Sequence, residues 1–339
     1  RLWIVIWLYC LVALLVAIRQ RWAQRALVAI ALGGLGFLAW SNALSPEQVE
    51  VTFLDTVDGE ATFFTCLGQS VLIDAGSPDN QIVEHYLRSK GRTGVDLLFV
   101  TRLSPSSCAA VQKLLGRMKI GRLLVPSQGL ADSAVRSLMA CARQQGVPVT
   151  ALLVGDEVRF TRDSRVRTDH GSPPIGSSTD SLPAQEQPDR RDRRPEATPV
   201  IRVLVPSRNL AAAAQAGLLG PEQLPAVLKI VCGKRSVLLA GALRDPRLVL
   251  DSDVSSELLL MPQHGSIRAN SEEFLDAVRP KVAVLSGRLS PSPVLAERIR
   301  KRGIRLHCLR QDGALVWPLR DRPEVDAPAG GQAQSASER

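Results

Sequence analysis

Several marks that would declare a function are missing from this 339-residue chain. It has no Gly-rich phosphate loop, no Gly-x-Ser-x-Gly and no dinucleotide fingerprint. P-loop hydrolysis, serine hydrolysis on a nucleophile elbow and hydride transfer therefore lose their usual signatures. Six cysteines occur, at Cys10, Cys66, Cys108, Cys141, Cys232 and Cys308, and no pair has the close spacing of a zinc or redox motif. They read as buried thiols. Histidine is scarce, with only His85, His170, His264 and His307. Acidic residues are absent from residues 1–43, which hold four arginines, so only +5 of the +9 net charge belongs to the rest. That balance suits nucleic acid or anionic lipid and is diagnostic of neither. Apolar residues are plentiful, at 45%, enough for a sizeable core. A start at Arg1 reads as a fragment or a processed chain.

Two uncharged apolar runs open the sequence, Leu2–Ile18 and Ala26–Trp40. Each is near the short end for a membrane span, which needs roughly 20 residues. Arg19, Arg21 and Arg25 crowd the loop between them, with Trp22 and Trp40 at the margins. By the positive-inside rule this loop is cytoplasmic. The expectation is a transmembrane helical hairpin over residues 1–43, with everything after about Ser41 on the extracytoplasmic side of the cell membrane. A signal peptide would have a single apolar run and a cleavage site. A buried core hairpin would show polar faces, and these runs show none.

Beyond the hairpin, strand and helix patterns alternate. Residues 48–53, 62–66 and 69–74 read as strands, with Asp58-Gly59 as a turn. A helix over 82–90, a buried strand over 95–101, a helix over 108–118 and a strand over 122–126 follow. Next come a helix over 131–145 and a strand over 149–153. Residues 163–199 interrupt this rhythm with Pro, Ser, Asp and Arg and almost no large apolar residue. They are expected to be a disordered insertion, which removes His170 from the candidate ligands. Strands at 200–205, 226–232, 236–240 and 257–261 resume the pattern. Then follow a helix at 271–278 capped by Ser271, a strand at 282–286, a helix at 294–301 and strands at 305–309 and 314–317. The tail over 319–339 is polar and expected to be disordered. The whole predicts an α/β sandwich whose halves, 44–162 and 200–318, flank the insertion.

Particular segments carry a family resemblance. Val51-Thr52-Phe53-Leu54-Asp55, Val71-Leu72-Ile73-Asp74-Ala75-Gly76 and Asp96-Leu97-Leu98-Phe99-Val100-Thr101 occur in order. Met261-Pro262-Gln263-His264-Gly265-Ser266 follows, then Ser271-Glu272-Glu273-Phe274-Leu275 and Arg279-Pro280-Lys281-Val282-Ala283. Ser292-Pro293-Val294-Leu295, Arg302-Gly303-Ile304 and Asp312-Gly313-Ala314 complete the series. Together they resemble the metallo-β-lactamase-like domain of ComEC-type DNA-internalisation proteins, over about residues 48–318 apart from the insertion. The resemblance implies an αββα metallo-β-lactamase-like sandwich. It also implies DNA as partner, a membrane setting and a channel region N-terminal to this segment.

The resemblance also implies a two-metal site, and here the sequence departs from it. The family's His-x-His-x-Asp-His run corresponds to Arg102-Leu103-Ser104-Pro105-Ser106-Ser107, so Arg102, Ser104, Ser106 and Ser107 stand where ligands are expected. Ala242 stands at the bridging Asp, and Gln263 replaces the first histidine of a His-His pair. Asp74 and His264 are retained. The early Gly-Gln-Gly-Asp turn becomes Val57-Asp58-Gly59-Glu60. A serine hydroxyl is a poor metal ligand, and Arg102 puts a permanent cation where a metal should sit. The expectation is a pseudoenzyme with no cofactor, in which Asp74 caps backbone amides and His264 shapes a turn. Arg102, Arg268 and Arg288 are its candidate phosphate contacts. The competing expectation is a zinc- or manganese-dependent nuclease with a non-standard site.

Overall fold

The computed structural model describes residues 2–17, 30–34, 49–57, 59–79, 81–126, 133–152, 155–160, 167–169, 199–205, 225–287 and 290–319. The chain divides into two units, Arg1–Glu47 and Gln48–Arg339. In the first, α1 (Leu2–Ala17) is a 16-residue helix without a charged side chain. Trp3, Ile4, Leu8 and Tyr9 on it are more than half exposed. Among the described residues no helix is long and apolar enough to cross a membrane. Most of the second apolar run and the basic loop lie outside the described residues.

In the second unit, apolar side chains on alternate strand positions dictate the layers. One sheet has the order β15-β1-β2-β3-β4-β5-β6. Its strands are β1 (Glu50–Phe53), β2 (Thr62–Cys66), β3 (Gln69–Ile73), β4 (Gly94–Phe99), β5 (Lys119–Pro126), β6 (Val149–Leu152) and β15 (Leu315–Pro318). The other has the order β14-β13-β12-β11-β10-β9-β7-β8. It comprises β7 (Glu157–Arg159), β8 (Arg167–Asp169), β9 (Val200–Val205), β10 (Val227–Cys232), β11 (Arg235–Leu239), β12 (Leu258–Leu260), β13 (Val282–Leu285) and β14 (Arg305–Cys308). Val71, Ile73, Leu97 and Phe99 of the first sheet share a core with Ile230, Val237, Leu258 and Val284 of the second. The intervening Leu72 and Leu98 point outward, as the two-residue side-chain period requires. They meet α2 (Ile82–Ser89), α3 (Pro105–Leu115) and α4 (Ser133–Gln144). The second sheet's outer face is covered by α5 (Glu272–Val278) and α6 (Pro293–Lys301). The result is a four-layered α/β sandwich, two sheets face to face with helices outside, as the sequence pattern leads one to expect.

Strands β3 to β6 are mutually parallel, as are β11 to β14. Their carboxyl ends open at one edge of the sandwich, where open α/β sheets hold their sites. The last strand crosses back to the first sheet. There β15 pairs antiparallel with β1, and Leu319 N–H donates to the Val49 carbonyl at 2.8 Å.

Three differences from the sequence reading appear. β8 lies inside the segment expected to be disordered and pairs antiparallel with β7. Backbone pairing at a sheet edge needs no large apolar side chain, so composition misses it. Residues 163–166 and 170–198 and the tail 320–339 lie outside the described residues. α3 begins at Pro105, three residues earlier than expected, because Ser104 caps it and proline suits its first turn. A short helix, α7 (Leu309–Asp312), precedes β15.

Candidate functional site

At the carboxyl ends of β3 and β4 lies a cleft of about 110 Å³, lined by Glu60, Asp74, Thr101, Arg102, Ser106, Ser107 and Ala242 among others. Asp74 leaves β3 in the left-handed region, at φ 60°. Both its oxygens are taken by Thr101. The backbone N–H donates to Oδ1 at 2.8 Å and the hydroxyl to Oδ2 at 2.5 Å. The carboxylate thus clamps the end of β3 to the end of β4. Its carboxyl is raised to about 7, mainly by burial and in small part by the neighbouring Glu60 charge, against the Thr101 bonds and the Arg102 charge.

Glu60 was not singled out by the sequence reading, yet it is central. Its turn is braced by the Gly76 N–H donating to the Glu60 carbonyl at 2.9 Å and by the Thr56 hydroxyl donating to the Gly59 carbonyl at 3.1 Å. The side chain is only 12% exposed. It packs directly on Gly241, where a Cβ would fall 1.7 Å from Oε2. Ser286 donates its hydroxyl to Oε1 at 3.1 Å. Burial raises this carboxyl as well, to about 7, with Ser286 and the Arg102 charge pulling the other way. The signal in the sequence was the Gly59-Glu60 turn itself, a carboxylate beside a glycine in an otherwise altered motif.

His264 reaches the same cluster from the second sheet. Its Nδ1 lies 3.0 Å from Ser286 Oγ and 3.8 Å from Glu60 Oε1. Gln263 and His264 both adopt left-handed backbone, at φ 47° and 50°. Gln263 donates its side-chain amide to the Ala242 carbonyl at 3.0 Å and its backbone N–H to the Gly241 carbonyl at 2.7 Å. Gln263 therefore stitches two loops together.

The serines are occupied with one another. Ser104 Oγ accepts from the Ser107 N–H at 3.2 Å and lies 2.8 Å from Ser107 Oγ and 3.1 Å from Ser106 Oγ. Arg102 lines the cleft, and its charge is felt by both carboxylates. Arg268 is exposed and does not line the cleft, and Arg288 lies outside the described residues. His85 sits on α2, and His307 bonds the Gly313 carbonyl through Nε2 at 2.9 Å.

The structure thus brings Glu60, Asp74, Arg102, Ala242, Gln263, His264 and the three serines to one edge. The donors that remain do not fit a two-metal centre. Asp74 spends both oxygens on Thr101, Glu60 and His264 engage Ser286, and a guanidinium lines the cavity. Among the described residues, no group of three or more His, Cys, Asp or Glu is placed to hold a metal ion.

No family model matches the chain. ComE operon protein 3 of Bacillus subtilis (strain 168) is 20% identical over 345 residues, which cover 92% of this chain. The chain resembles a ComEC-type competence protein. It spans 38% of that relative's length, so it corresponds to part of the ComEC-type polypeptide. Among solved structures, the metallo-β-lactamase fold protein YhfI from Bacillus subtilis is 10% identical, with a TM-score of 0.43, over 79% of this chain and 99% of that one. Igni18, a metallo hydrolase from Ignicoccus hospitalis, is 12% identical, with a TM-score of 0.45, over 79% and 98%. Likeness at this level says nothing about the chemistry of the cleft.

Proposed function

We propose that this chain is a catalytically inactive metallo-β-lactamase-like module of a membrane-bound DNA-uptake protein. It binds or guides DNA, or braces the channel formed by the polypeptide N-terminal to it. The apolar runs in residues 1–43 anchor it as a transmembrane hairpin, with the sandwich on the extracytoplasmic side. In this reading Arg102, Ser104, Ser106, Ser107, Ala242 and Gln263 occupy abandoned metal positions. The observation that carries it is the self-contained cleft. Its two carboxylates are bonded to Thr101 and Ser286, its serines to each other, and its cation is Arg102. A cleft of about 110 Å³ is also smaller than the roughly 300–1,000 Å³ usual for small-molecule sites.

The test is metal analysis of the purified chain after incubation with zinc or manganese, with a nuclease assay on the same samples. No stoichiometric metal and no cleavage are expected. Stoichiometric metal, with cleavage lost in Asp74→Ala, would establish the competing metal-dependent hydrolase.

A further inference from the structure

At the other end of the first sheet, where β4 and β5 begin, lies a basin of about 550 Å³. It is lined by Arg88, Arg117 and Lys119 together with Thr93, Leu115 and Met118. The charge here is concentrated. Among the described residues, Arg88, Arg117 and Lys119 are the only charged ones that line the basin, and all three are positive.

The two arginines are positioned from beneath by one carboxylate. Glu84, with its side chain 11% exposed, bonds Arg88 through Oε1 at 2.7 Å and Arg117 through Oε2 at 3.2 Å. One buried carboxylate between two guanidiniums leaves a positive charge in excess and most of their N–H groups directed elsewhere. Helix C-termini attract cations, and that accounts for Arg88 at the end of α2 and Arg117 just after α3. It does not account for Lys119, which opens β5 and is exposed.

We propose that this basin binds a phosphate-bearing ligand of nucleotide size, either a free nucleotide or a phosphodiester segment of a nucleic-acid strand. Paired guanidiniums and an ammonium suit phosphate oxygens. The volume falls within the range of ordinary ligand sites. A membrane surface suits it less. Among the described residues, the exposed large apolar side chains of this unit, Val57, Ile82, Ile267, Val294 and Val316, do not line the basin. The inference goes beyond the reading of the cleft, since metal-dependent cleavage there would overturn that reading and leave this one untouched.

The probe is a fluorescent single-stranded oligonucleotide, titrated by anisotropy against the full chain in detergent at 50–200 mM salt. Arg117→Gln/Lys119→Gln should weaken binding at least about tenfold and reduce the log–log salt slope by about 1.4, as two lost phosphate contacts require. Lys119→Gln alone, which removes an exposed amine and spares the Glu84 bridge, should reduce the slope by about 0.7. A matched charge change on α6, Arg300→Gln/Lys301→Gln, should leave affinity within about twofold, because single-strand affinity follows the phosphates contacted. Competition by a mononucleotide identifies the free nucleotide as ligand, and failure to compete identifies the strand. Equal losses in the basin and control variants would overturn the proposal, as would no binding of either probe at 50 mM salt. A loss confined to Arg102→Gln would place the strand at the cleft instead and equally sink it.

Discussion

Replacing Glu60 with Gln is expected to stabilise the chain above pH 7 and to leave it nearly unchanged near pH 5. Burial lifts the Glu60 carboxyl from 4.5 to about 7. A displacement of that size disfavours the charged form by about 3 kcal/mol. Between those two values the unfolded chain has already lost this proton while the folded chain keeps it. The folded state binds more protons in that window, so stability falls as pH rises through it and the loss is complete above about pH 7. Gln carries no such proton, and its amide oxygen can still accept the Ser286 hydroxyl that now bonds Oε1. Neutralising Glu60 also removes a negative charge that raises Asp74. Urea denaturation from pH 5 to pH 8.5 measures both chains. The variant should gain up to about 3 kcal/mol over the parent between the two extremes, with part of the parent's slope persisting through Asp74. Parallel pH profiles, or a parent that grows more stable with rising pH, would refute the burial argument.

Other perturbations probe the same edge. Thr101→Val strips one of the hydroxyl and amide donors from buried Asp74 and should cost about 1–3 kcal/mol. The cost should be larger at pH 8 than at pH 5, because the lost bond favours the ionised carboxylate. Gly241→Ala places a methyl group 1.7 Å from Glu60 Oε2 and should destabilise by roughly 1–3 kcal/mol in the same denaturation assay, since the carboxylate must move. Val57 holds a left-handed backbone at φ 63° with a β-branched side chain 42% exposed. Val57→Gly should therefore raise the unfolding free energy by about 1 kcal/mol.

Strand and helix positions were legible because burial follows the residue pattern closely. Val71 and Ile73 face one way and Leu72 the other, and β4 repeats the arrangement with Leu97, Leu98 and Phe99. α3 starts before its apolar pattern does, because Ser104 and Pro105 set the first turn through a side-chain cap and a fixed φ and not through burial. Glu60 and Ser286 were missed for a different reason. They meet across 226 residues of sequence, and no local pattern encodes a bond between a turn in one sheet and the end of a strand in the other. β8 was missed because its partners are backbone groups, which composition does not reveal.

The return of β15 to the first sheet has an architectural consequence. Val49 and Leu319 are one hydrogen bond apart, so the sandwich has its entrance and its exit at the same point. A unit closed in this way behaves as a loop with a narrow neck. It can be carried within a longer polypeptide without pushing apart the segments on either side.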